Sequence, residues 1–316
     1  MDTADWPADF EGHGFEEHRA HLRSVAYRML GSLNEADDAV QEAWLRLSRA
    51  DTGDVRDLRA WLTTVVSRVC LDMLRSRATR REDSLDVHMP DPIVTRVDDD
   101  PAEQAVLADS VGIALLVVLD TLPPAERLAF VLHDVFAVPF EQIGPILDRT
   151  PAAAKQLASR ARHRLRAAPA HPGATSADGA LASVPPPGGA DLARQWTVVD
   201  AFLAASREGD FEGLLAILDP DIVLRADAGQ GPLGPSVLIR GQREVIAQAQ
   251  RFASLGRFAR RVLVNGAPGF LVVKDGKALA VMAATVRNGK IAEMDILSDP
   301  VRLRELDLVG LVEPEG

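Results

Sequence analysis

Apolar positions recur at helical spacing through the first part of the chain and predict three helices there. One apolar face runs from Phe15 to Leu30, a second lies between residues 36 and 47, and a third lies between residues 58 and 74. The second helix is predicted to start after Asn34, with Asp37 three residues later, in the arrangement of a capping box. The third is predicted over residues 57–80, so that residues 10–85 form one helical unit.

The outward positions of the second and third predicted helices differ in charge. Those of the second helix are mostly acidic: Asp37, Asp38, Gln41 and Glu42. Those of the third are basic or hydroxyl-bearing: Arg59, Thr63, Thr64, Arg68, Arg75 and Arg77. An ordinary solvated helix face would also explain the acids, but one acidic and one basic helix suit a protein that contacts a basic partner and a nucleic acid together.

A basic helix is predicted over residues 151–166. Thr150 is placed to cap it, and Pro151 suits the first helical position. Residues 149–166 carry six Lys or Arg and no acid. The outward positions that suit phosphates and base edges are Lys155, Gln156, Ser159, Arg160, Arg162 and His163. With a short helix at 140–147 and a turn at 148–149, this segment predicts a helix-turn-helix; the alternative is a surface helix with a basic face.

Two segments of biased composition divide the chain. Residues 86–109 contain seven acids against one Arg, and predict a solvated linker. Residues 169–190 are rich in Pro and Gly, and predict a flexible linker. The helix-turn-helix unit therefore spans 110–168, and a C-terminal domain spans 191–316.

The C-terminal domain shows two helical patterns and six strand patterns. Helices are predicted at 196–208 and 241–255, and strands at 221–226, 237–240, 261–264, 270–274, 279–287 and 291–297. Asp275-Gly276 and Asn288-Gly289 are strong signals for hairpin turns. The domain is thus predicted to be α+β, and the whole chain multidomain.

Composition restricts the class of protein further. The 316 residues carry a net charge of −11, which argues against indiscriminate coating of DNA, so any DNA contact must be local. No apolar run approaches the roughly 20 residues of a membrane span, and the acidic N-terminus is unlike a signal peptide. The one cysteine, Cys70, is compatible with a reducing compartment. We therefore expect a cytoplasmic protein with no membrane contact.

Specific stretches of the chain resemble a known family. Residues 35–47 (EADDAVQEAWLRL) and 60–66 (AWLTTVV) resemble region 2 of bacterial sigma factors, and residues 121–166 resemble region 4. The match is best to the extracytoplasmic-function group. It implies that the acidic face (Asp37, Asp38, Gln41, Glu42) binds core RNA polymerase, that helix 57–80 and loop 51–56 bind and melt the −10 element of promoter DNA, and that helix 151–166 recognises the −35 element.

The C-terminal pattern resembles the SnoaL-like, cone-shaped barrel found fused to sigma factors of the sigma-J-like type. Residues 88–92 (HMPDP) and 299–303 (DPVRL) resemble short signatures of these fusions, and residues 226–231 occupy the position of a third. The resemblance implies regulatory contacts by Pro90, Asp91, Pro92, Asp227, Asp299 and Pro300. It also allows an unknown small ligand in the barrel.

An enzymatic C-terminal domain is the main alternative that the fold suggests. Its candidate carboxylates are Asp227, Glu293 and Asp295, yet no His, Tyr or Cys accompanies them after His171. No metal-ligand spacing occurs, so we expect neither a cofactor nor catalysis. The leading hypothesis is a sigma factor whose C-terminal domain modulates its activity; the rivals are a stand-alone, ligand-responsive helix-turn-helix regulator and a SnoaL-like enzyme tethered to a DNA-binding module.

Overall fold

The computed structural model describes residues 14–50, 55, 57–80, 87–97, 112–167 and 189–312. The chain forms two compact units. The first unit contains the described residues up to 80 together with 118–167, and the second contains 87–97, 112–117 and 189–312. No helix among the described residues is long and apolar enough to cross a membrane.

The first unit begins with the three predicted helices, α1 (Phe15–Leu30), α2 (Leu33–Leu47) and α3 (Leu58–Arg80). Gly31 ends α1 in the left-handed conformation, with φ of 70°, and its N–H donates to Tyr27 O at 2.8 Å. Ser32 then caps α2 by accepting from the N–H of Glu35. The predicted start after Asn34 is therefore wrong by two residues, because the capping sequence is S-x-x-E at 32–35.

The core of these three helices is apolar. Phe15 packs edge-to-face on Trp44, with ring centroids 5.2 Å apart, and Leu22, Leu62 and Cys70 are fully buried. Burial raises the pKa of the Cys70 thiol to about 12 and outweighs the opposing effect of the Arg127 charge.

The second half of this unit contains α4 (Ile113–Asp120), whose first residues belong to the second unit, α5 (Pro124–Phe130), α6 (Phe140–Ile146) and α7 (Pro151–Ala167). A π-helical turn, Val131–Val135, continues α5. Thr150 caps α7 as predicted, accepting from the N–H of Ala153 at 3.2 Å. Pro145 lies inside α6, which is only seven residues long.

The turn between α6 and α7 contains a residue in the left-handed conformation, but this residue is not the glycine that such turns usually contain. Asp148 itself adopts the left-handed conformation, with φ of 55°, which Asp tolerates better than most residues. Gly144 is instead required in α6, because a Cβ there would lie 2.8 Å from Arg149 O.

The second unit is built on α8 (Gly189–Glu208), α9 (Phe211–Ile217), α10 (Gln242–Phe252) and a 3₁₀ turn, Ala253–Phe258. Its sheet contains β1 (Val94–Thr95), β2 (Leu218–Asp227), β3 (Val237–Arg240), β4 (Ala259–Val264), β5 (Ala267–Lys274), β6 (Lys277–Arg287) and β7 (Lys290–Leu297), in the order β1-β4-β5-β6-β7-β2-β3. Two short helices, α11 (Pro300–Glu305) and α12 (Val309–Val312), follow.

The sequence predictions for this domain are confirmed in outline. Each of the six predicted strands lies within an observed one, and both residues of Asp275-Gly276 and of Asn288-Gly289 have positive φ, as hairpin turns of this type need. Neighbouring strands are antiparallel except β2 and β7, which are parallel. The start of α8 at Gly189 lies inside the predicted linker 169–190, whose earlier residues lie outside those described.

Residues 87–97 correct the prediction of a solvated linker at 86–109. Met89 is fully buried, and β1 adds to the edge of the sheet by pairing with β4. Asn265 fixes the register, because its side chain accepts from the N–H of Ile93 at 3.0 Å and its own N–H donates to Ile93 O at 2.8 Å. The other residues of the predicted linker lie outside those described.

Candidate polymerase and DNA interfaces

Helix α7 exposes a stripe of polar and basic side chains. Its apolar stripe is buried: Ala154, Ala158, Ala161 and Leu165. The exposed side consists of Lys155, Gln156, Ser159, Arg160 and His163. These five are among the six DNA-binding candidates predicted on this helix, and their long, hydrogen-bonding side chains suit phosphates and base edges.

The sixth candidate, Arg162, has a different environment. Its Nη1 donates to Asp134 Oδ1 at 2.8 Å, and its side chain is only 25 % exposed. The next arginine, Arg164, pairs with the buried Glu126 at 3.0 Å. These ion pairs connect α7 to α5 and to the turn after it. The expectation that Arg162 faces outward is corrected here, because Asp134 holds its guanidinium against the protein.

The acidic face of α2 is open to solvent. Asp37, Asp38 and Gln41 are exposed, and Glu42 is partly exposed. Asp37 accepts two hydrogen bonds from Arg23, at 2.7 and 3.1 Å, while Glu42 pairs with Arg46 at 2.9 Å. Both pairs are on the surface, where water competes with them and their contribution is small.

Leu45 extends this face, and sequence analysis did not single it out. It is 38 % exposed, one of few large apolar side chains so exposed among the described residues. It lies four residues after Gln41 and seven after Asp38, so all three share one side of α2. An apolar residue on the polar side of a helix was the signal that could have found it.

Thr63 on α3 was predicted to face outward and is instead buried. Its hydroxyl donates to Arg59 O at 2.7 Å and lies 3.2 Å from His21 Nε2. The other imidazole nitrogen, Nδ1, lies 3.2 Å from Arg59 Nη2. Because the arginine donates, Nδ1 accepts and Nε2 carries the proton toward Thr63. Burial, with the charge of Arg59 second, lowers the pKa of His21 to about 4, so the imidazole is neutral at pH 7.

Arg77 is also corrected from a DNA-binding candidate to a structural residue. Its guanidinium forms an ion pair with Glu35 and donates from Nη1 to Leu30 O at 2.9 Å, so it joins α3 to the start of α2 and the end of α1. Arg68 is exposed but donates to Pro145 O at 3.0 Å. Thr64 is partly buried and donates to Ala60 O at 3.0 Å.

Arg59 and Arg75 remain as exposed basic groups on α3, where Arg75 is 54 % exposed. The predicted −10 loop, 51–56, lies outside the described residues except for residue 55.

In the second unit, one guanidinium binds two of the six residues that were predicted as regulatory contacts, Asp91 and Asp227. Arg302 Nη1 donates to Asp227 Oδ2 at 2.6 Å, and Arg302 Nη2 donates to Asp91 Oδ1 and to Met89 O, both at 2.5 Å. The N–H of Met89 donates back to Asp227 Oδ2 at 3.1 Å. We call Arg302, Asp227, Asp91 and Met89 the Arg302 cluster.

The other four predicted contacts frame the Arg302 cluster. Pro90 and Pro92, on either side of Asp91, are buried. Asp299 caps α11 by accepting from the N–H groups of Val301 and Arg302, and Pro300 takes the first helical position. The cap therefore sets the start of the helix that carries Arg302.

Comparison with known proteins shows the family of this chain. The model of Sigma-70 region 2 matches residues 15–80, and that of Sigma-70 region 4 matches residues 113–165. The chain is 40 % identical to the ECF RNA polymerase sigma factor SigJ of Mycobacterium tuberculosis over 301 residues, covering 90 % of this chain and 91 % of that protein. The chain belongs to the extracytoplasmic-function (ECF) sigma factor family.

Two further comparisons each cover more than nine tenths of this ECF sigma factor. It is 35 % identical to the probable ECF RNA polymerase sigma factor SigI of M. tuberculosis, over 92 % of this chain and 93 % of that one. The crystal structure of M. tuberculosis SigJ superposes with a TM-score of 0.71 at 35 % identity, covering 93 % of this chain and 98 % of that one. The fold is therefore two all-α sigma domains and a C-terminal α+β domain of the SnoaL-like, cone-shaped type.

Membership of the ECF sigma factor family decides between the hypotheses drawn from the sequence. Sigma factors bind core RNA polymerase and direct it to promoters, and they are not enzymes. A helix-turn-helix regulator that acts without polymerase would not contain region 2. The described residues also contain no group of three or more side chains that could hold a metal ion.

The three carboxylates that were considered as catalytic candidates each form an ion pair with an arginine. Asp295 pairs with Arg225 at 2.5 Å and Glu293 with Arg287 at 2.5 Å, while Asp227 belongs to the Arg302 cluster. Burial raises the pKa of Asp295 above its ordinary value and that of Glu293 to about 7, against the opposing effect of their arginines. Because side chains alternate along a strand, all three lie on the face of the sheet opposite the one formed by their neighbours Ala226 and Met294.

Proposed function

We propose that this ECF sigma factor contacts promoter DNA with the exposed stripe of α7 and core RNA polymerase with the exposed face of α2. We further propose that its C-terminal domain modulates initiation by binding the chain between the two sigma domains. The cytoplasm, where core RNA polymerase transcribes, is the compartment that this function implies.

The DNA and polymerase contacts are supported by exposure and charge together. On α7, Lys155, Gln156, Ser159 and Arg160 are exposed over successive turns, on a segment without a single acid. On α2, Asp38 and Gln41 are exposed beside Leu45. This face therefore combines polar groups with an apolar side chain. Binding surfaces commonly combine an apolar residue with a polar rim.

The Arg302 cluster is the single observation that carries the regulatory part. The chain between regions 2 and 4 contains Asp91, and Arg302 binds Asp91 and Asp227 at once. The three side chains are 12–16 % exposed, so water screens their ion pairs far less than those of a surface pair. Hydrogen bonds between charged groups are among the strongest in proteins, so the segment is held firmly on the barrel.

The test is run-off transcription with purified core RNA polymerase and the full chain carrying Arg302→Ala. We expect its transcript yield or promoter affinity to differ from the wild type, since Asp91 loses its ion pair with Arg302. Arg304→Ala is the matched control, because Arg304 is exposed on the same short helix and outside the Arg302 cluster. The control is expected to transcribe like the wild type.

Asp91→Ala shows whether the effect passes through this contact. If Arg302 acts by holding Asp91, the double variant Asp91→Ala/Arg302→Ala changes transcription no more than either single variant. Equal transcription by the wild type, Arg302→Ala and a chain ending at residue 167, across salt concentrations, would show that the C-terminal domain does not modulate initiation.

A further inference from the structure

The C-terminal domain contains a cavity of about 140 Å³ between its sheet and its helices. Phe202 and Ser206 of α8 and Phe252 of α10 line it on one side, and Phe270 and Met282 of the sheet on the other. The cavity lies on the face of the sheet opposite Asp227, Glu293 and Asp295, none of which lines it. Neither the sigma activity nor the Arg302 cluster uses it.

Small side chains create the space. Between the large apolar residues, six positions of the wall are alanine: Ala226, Ala228, Ala249, Ala253, Ala259 and Ala280. A domain core normally fills such positions, because atoms lining an empty cavity lose their dispersion contacts. These alanines lie on three strands, the β2–β3 connection, α10 and the 3₁₀ turn. They therefore keep a volume open at the expense of packing contacts.

The chemistry of the wall restricts what fits. It includes no ionisable side chain, and its polar side chains are Ser206, Gln248 and Ser298. Ser206 is buried, and its hydroxyl has no hydrogen-bond partner in the part of the chain that the structure describes. Burying a hydroxyl without a partner is unfavourable, so a bound molecule that hydrogen-bonds to it would remove that cost.

We infer that this cavity binds a neutral, largely apolar small molecule that carries one hydrogen-bonding group directed at Ser206. A charged molecule is excluded because no wall residue would compensate its lost hydration. Apolar cavities of roughly 150 Å³ hold a molecule of the size of benzene, so a single substituted aromatic ring or a short hydrocarbon of similar volume matches this one.

The position of the cavity connects it to the Arg302 cluster, and this step rests on the proposed function. Ala226 and Ala228 line the cavity, while Asp227 between them points to the other face and binds Arg302. Ser298 also lines the cavity, its N–H donates to Asp227 O at 2.8 Å, and the next residue, Asp299, caps the helix of Arg302. A ligand that moves these backbone segments changes the contacts of Arg302.

Binding is tested by titration calorimetry of the full chain with three probes of similar size: p-cresol, toluene and benzoate. We expect p-cresol and toluene to bind and benzoate not to bind. Ser206→Ala is expected to weaken binding of p-cresol by about 3–10-fold, the effect of one hydrogen bond, and to leave that of toluene unchanged. Ser254→Ala, an exposed serine near the cavity but outside its wall, is the control.

A filling variant, Ala249→Leu, is expected to abolish binding of both neutral probes with native circular dichroism. Binding of none of the probes, binding of benzoate as tight as that of p-cresol, or equal p-cresol affinity in Ser206→Ala and Ser254→Ala would overturn the inference. If Ala249→Leu does not fold, the Ser206→Ala comparison decides alone.

Transcription in the presence of p-cresol tests the connection separately. We expect the ligand to change the transcript yield of the wild type and not that of Arg302→Ala. Binding without any change in wild-type transcription would refute the connection and leave the cavity as a ligand site. An Arg302→Ala variant that matches the wild type without ligand refutes the proposed regulation instead.

Discussion

The guanidinium of Arg162 and the carboxylate of Asp134 form an ion pair, with Nη1 and Oδ1 2.8 Å apart, that holds α7 to the turn after α5. Arg160, one half-turn earlier, is exposed. Two arginines of the same basic helix therefore have different environments: Arg160 is exposed to solvent, and Arg162 holds the helix to the rest of the unit.

This difference predicts different effects of the two alanine variants. Arg160→Ala, like Lys155→Ala, is expected to weaken promoter binding by roughly 1–3 kcal/mol if the side chain contacts a base edge. If it contacts only phosphate, affinity falls equally for all sequences and the salt dependence flattens by about one ion. Fluorescence anisotropy with promoter and scrambled duplexes, over a range of salt, distinguishes the two.

Arg162→Ala is the matched variant. Its expected effect is on stability, about 1–3 kcal/mol, because Asp134 is left mostly buried without this partner. If Arg160→Ala and Lys155→Ala bind promoter DNA like the wild type at every salt concentration, α7 is not the recognition helix.

The exposed face of α2 predicts a variant that loses polymerase binding and stays folded. The double variant Asp38→Lys/Glu42→Lys is expected to abolish association with core RNA polymerase, since both side chains lie off the buried stripe. Analytical gel filtration with core enzyme measures it. Glu208→Lys/Asp221→Lys, at exposed positions of the second unit, changes the net charge equally and is expected to bind normally. Equal binding by both double variants would show that the acids of α2 are merely solvated.

The contacts of Arg77 predict that its removal lowers the stability of the fold, whereas the sequence pattern predicted that its removal would weaken DNA binding. Arg77→Ala removes the ion pair with Glu35 and the hydrogen bond to Leu30 O, and is expected to cost about 1–3 kcal/mol. Arg75→Ala, more than half exposed on the same helix, is expected to cost less than about 0.5 kcal/mol. Hydrogen exchange of α2 and α3 measures the difference; equal protection in the two variants contradicts the structural role.

Glu293 predicts a pH dependence of stability. Its pKa is raised from 4.5 to about 7 in the folded domain, so between these values the folded state binds more protons than the unfolded state. Stability contributed by this group is present below about pH 4.5 and is lost as the pH rises toward 7. Relative to the wild type, Glu293→Gln is therefore expected to gain stability between pH 5 and pH 8, by at most about 3 kcal/mol.

Urea unfolding of the wild type and Glu293→Gln at both pH values measures this shift. The exposed Glu208→Gln is the control and is expected to show the same difference from the wild type at pH 5 and pH 8. A Glu293→Gln variant whose difference from the wild type is independent of pH would contradict the raised pKa.

Local patterns predicted most elements, and long-range contacts explain where they failed. Thr150, Asp275-Gly276 and Asn288-Gly289 act through their own neighbours in the chain, and each was predicted correctly. Thr63 and Arg77 were predicted to face outward because periodicity distinguishes apolar from polar positions. Periodicity does not show that a polar side chain contacts His21 or Glu35, some 40 residues away in the sequence.

The Arg302 cluster illustrates the same limit. The signatures containing Asp91 and Arg302 were visible in the sequence, yet the two residues are 211 positions apart, and nothing local joins them. β1 is only two residues long, and its partner Val264 is 170 residues further on, so an acidic, Pro-rich segment gave no sign of a strand.

The burial of Cys70 has a practical consequence for experiments on this protein. A thiol with a pKa near 12 and no exposed surface does not react with maleimides while α3 remains packed, so fluorophores attached to engineered surface cysteines will label those sites alone. The native thiol then becomes reactive only when the N-terminal helices open. The rate at which Cys70 is labelled therefore measures the rate of that opening, and no cysteine has to be introduced for the measurement.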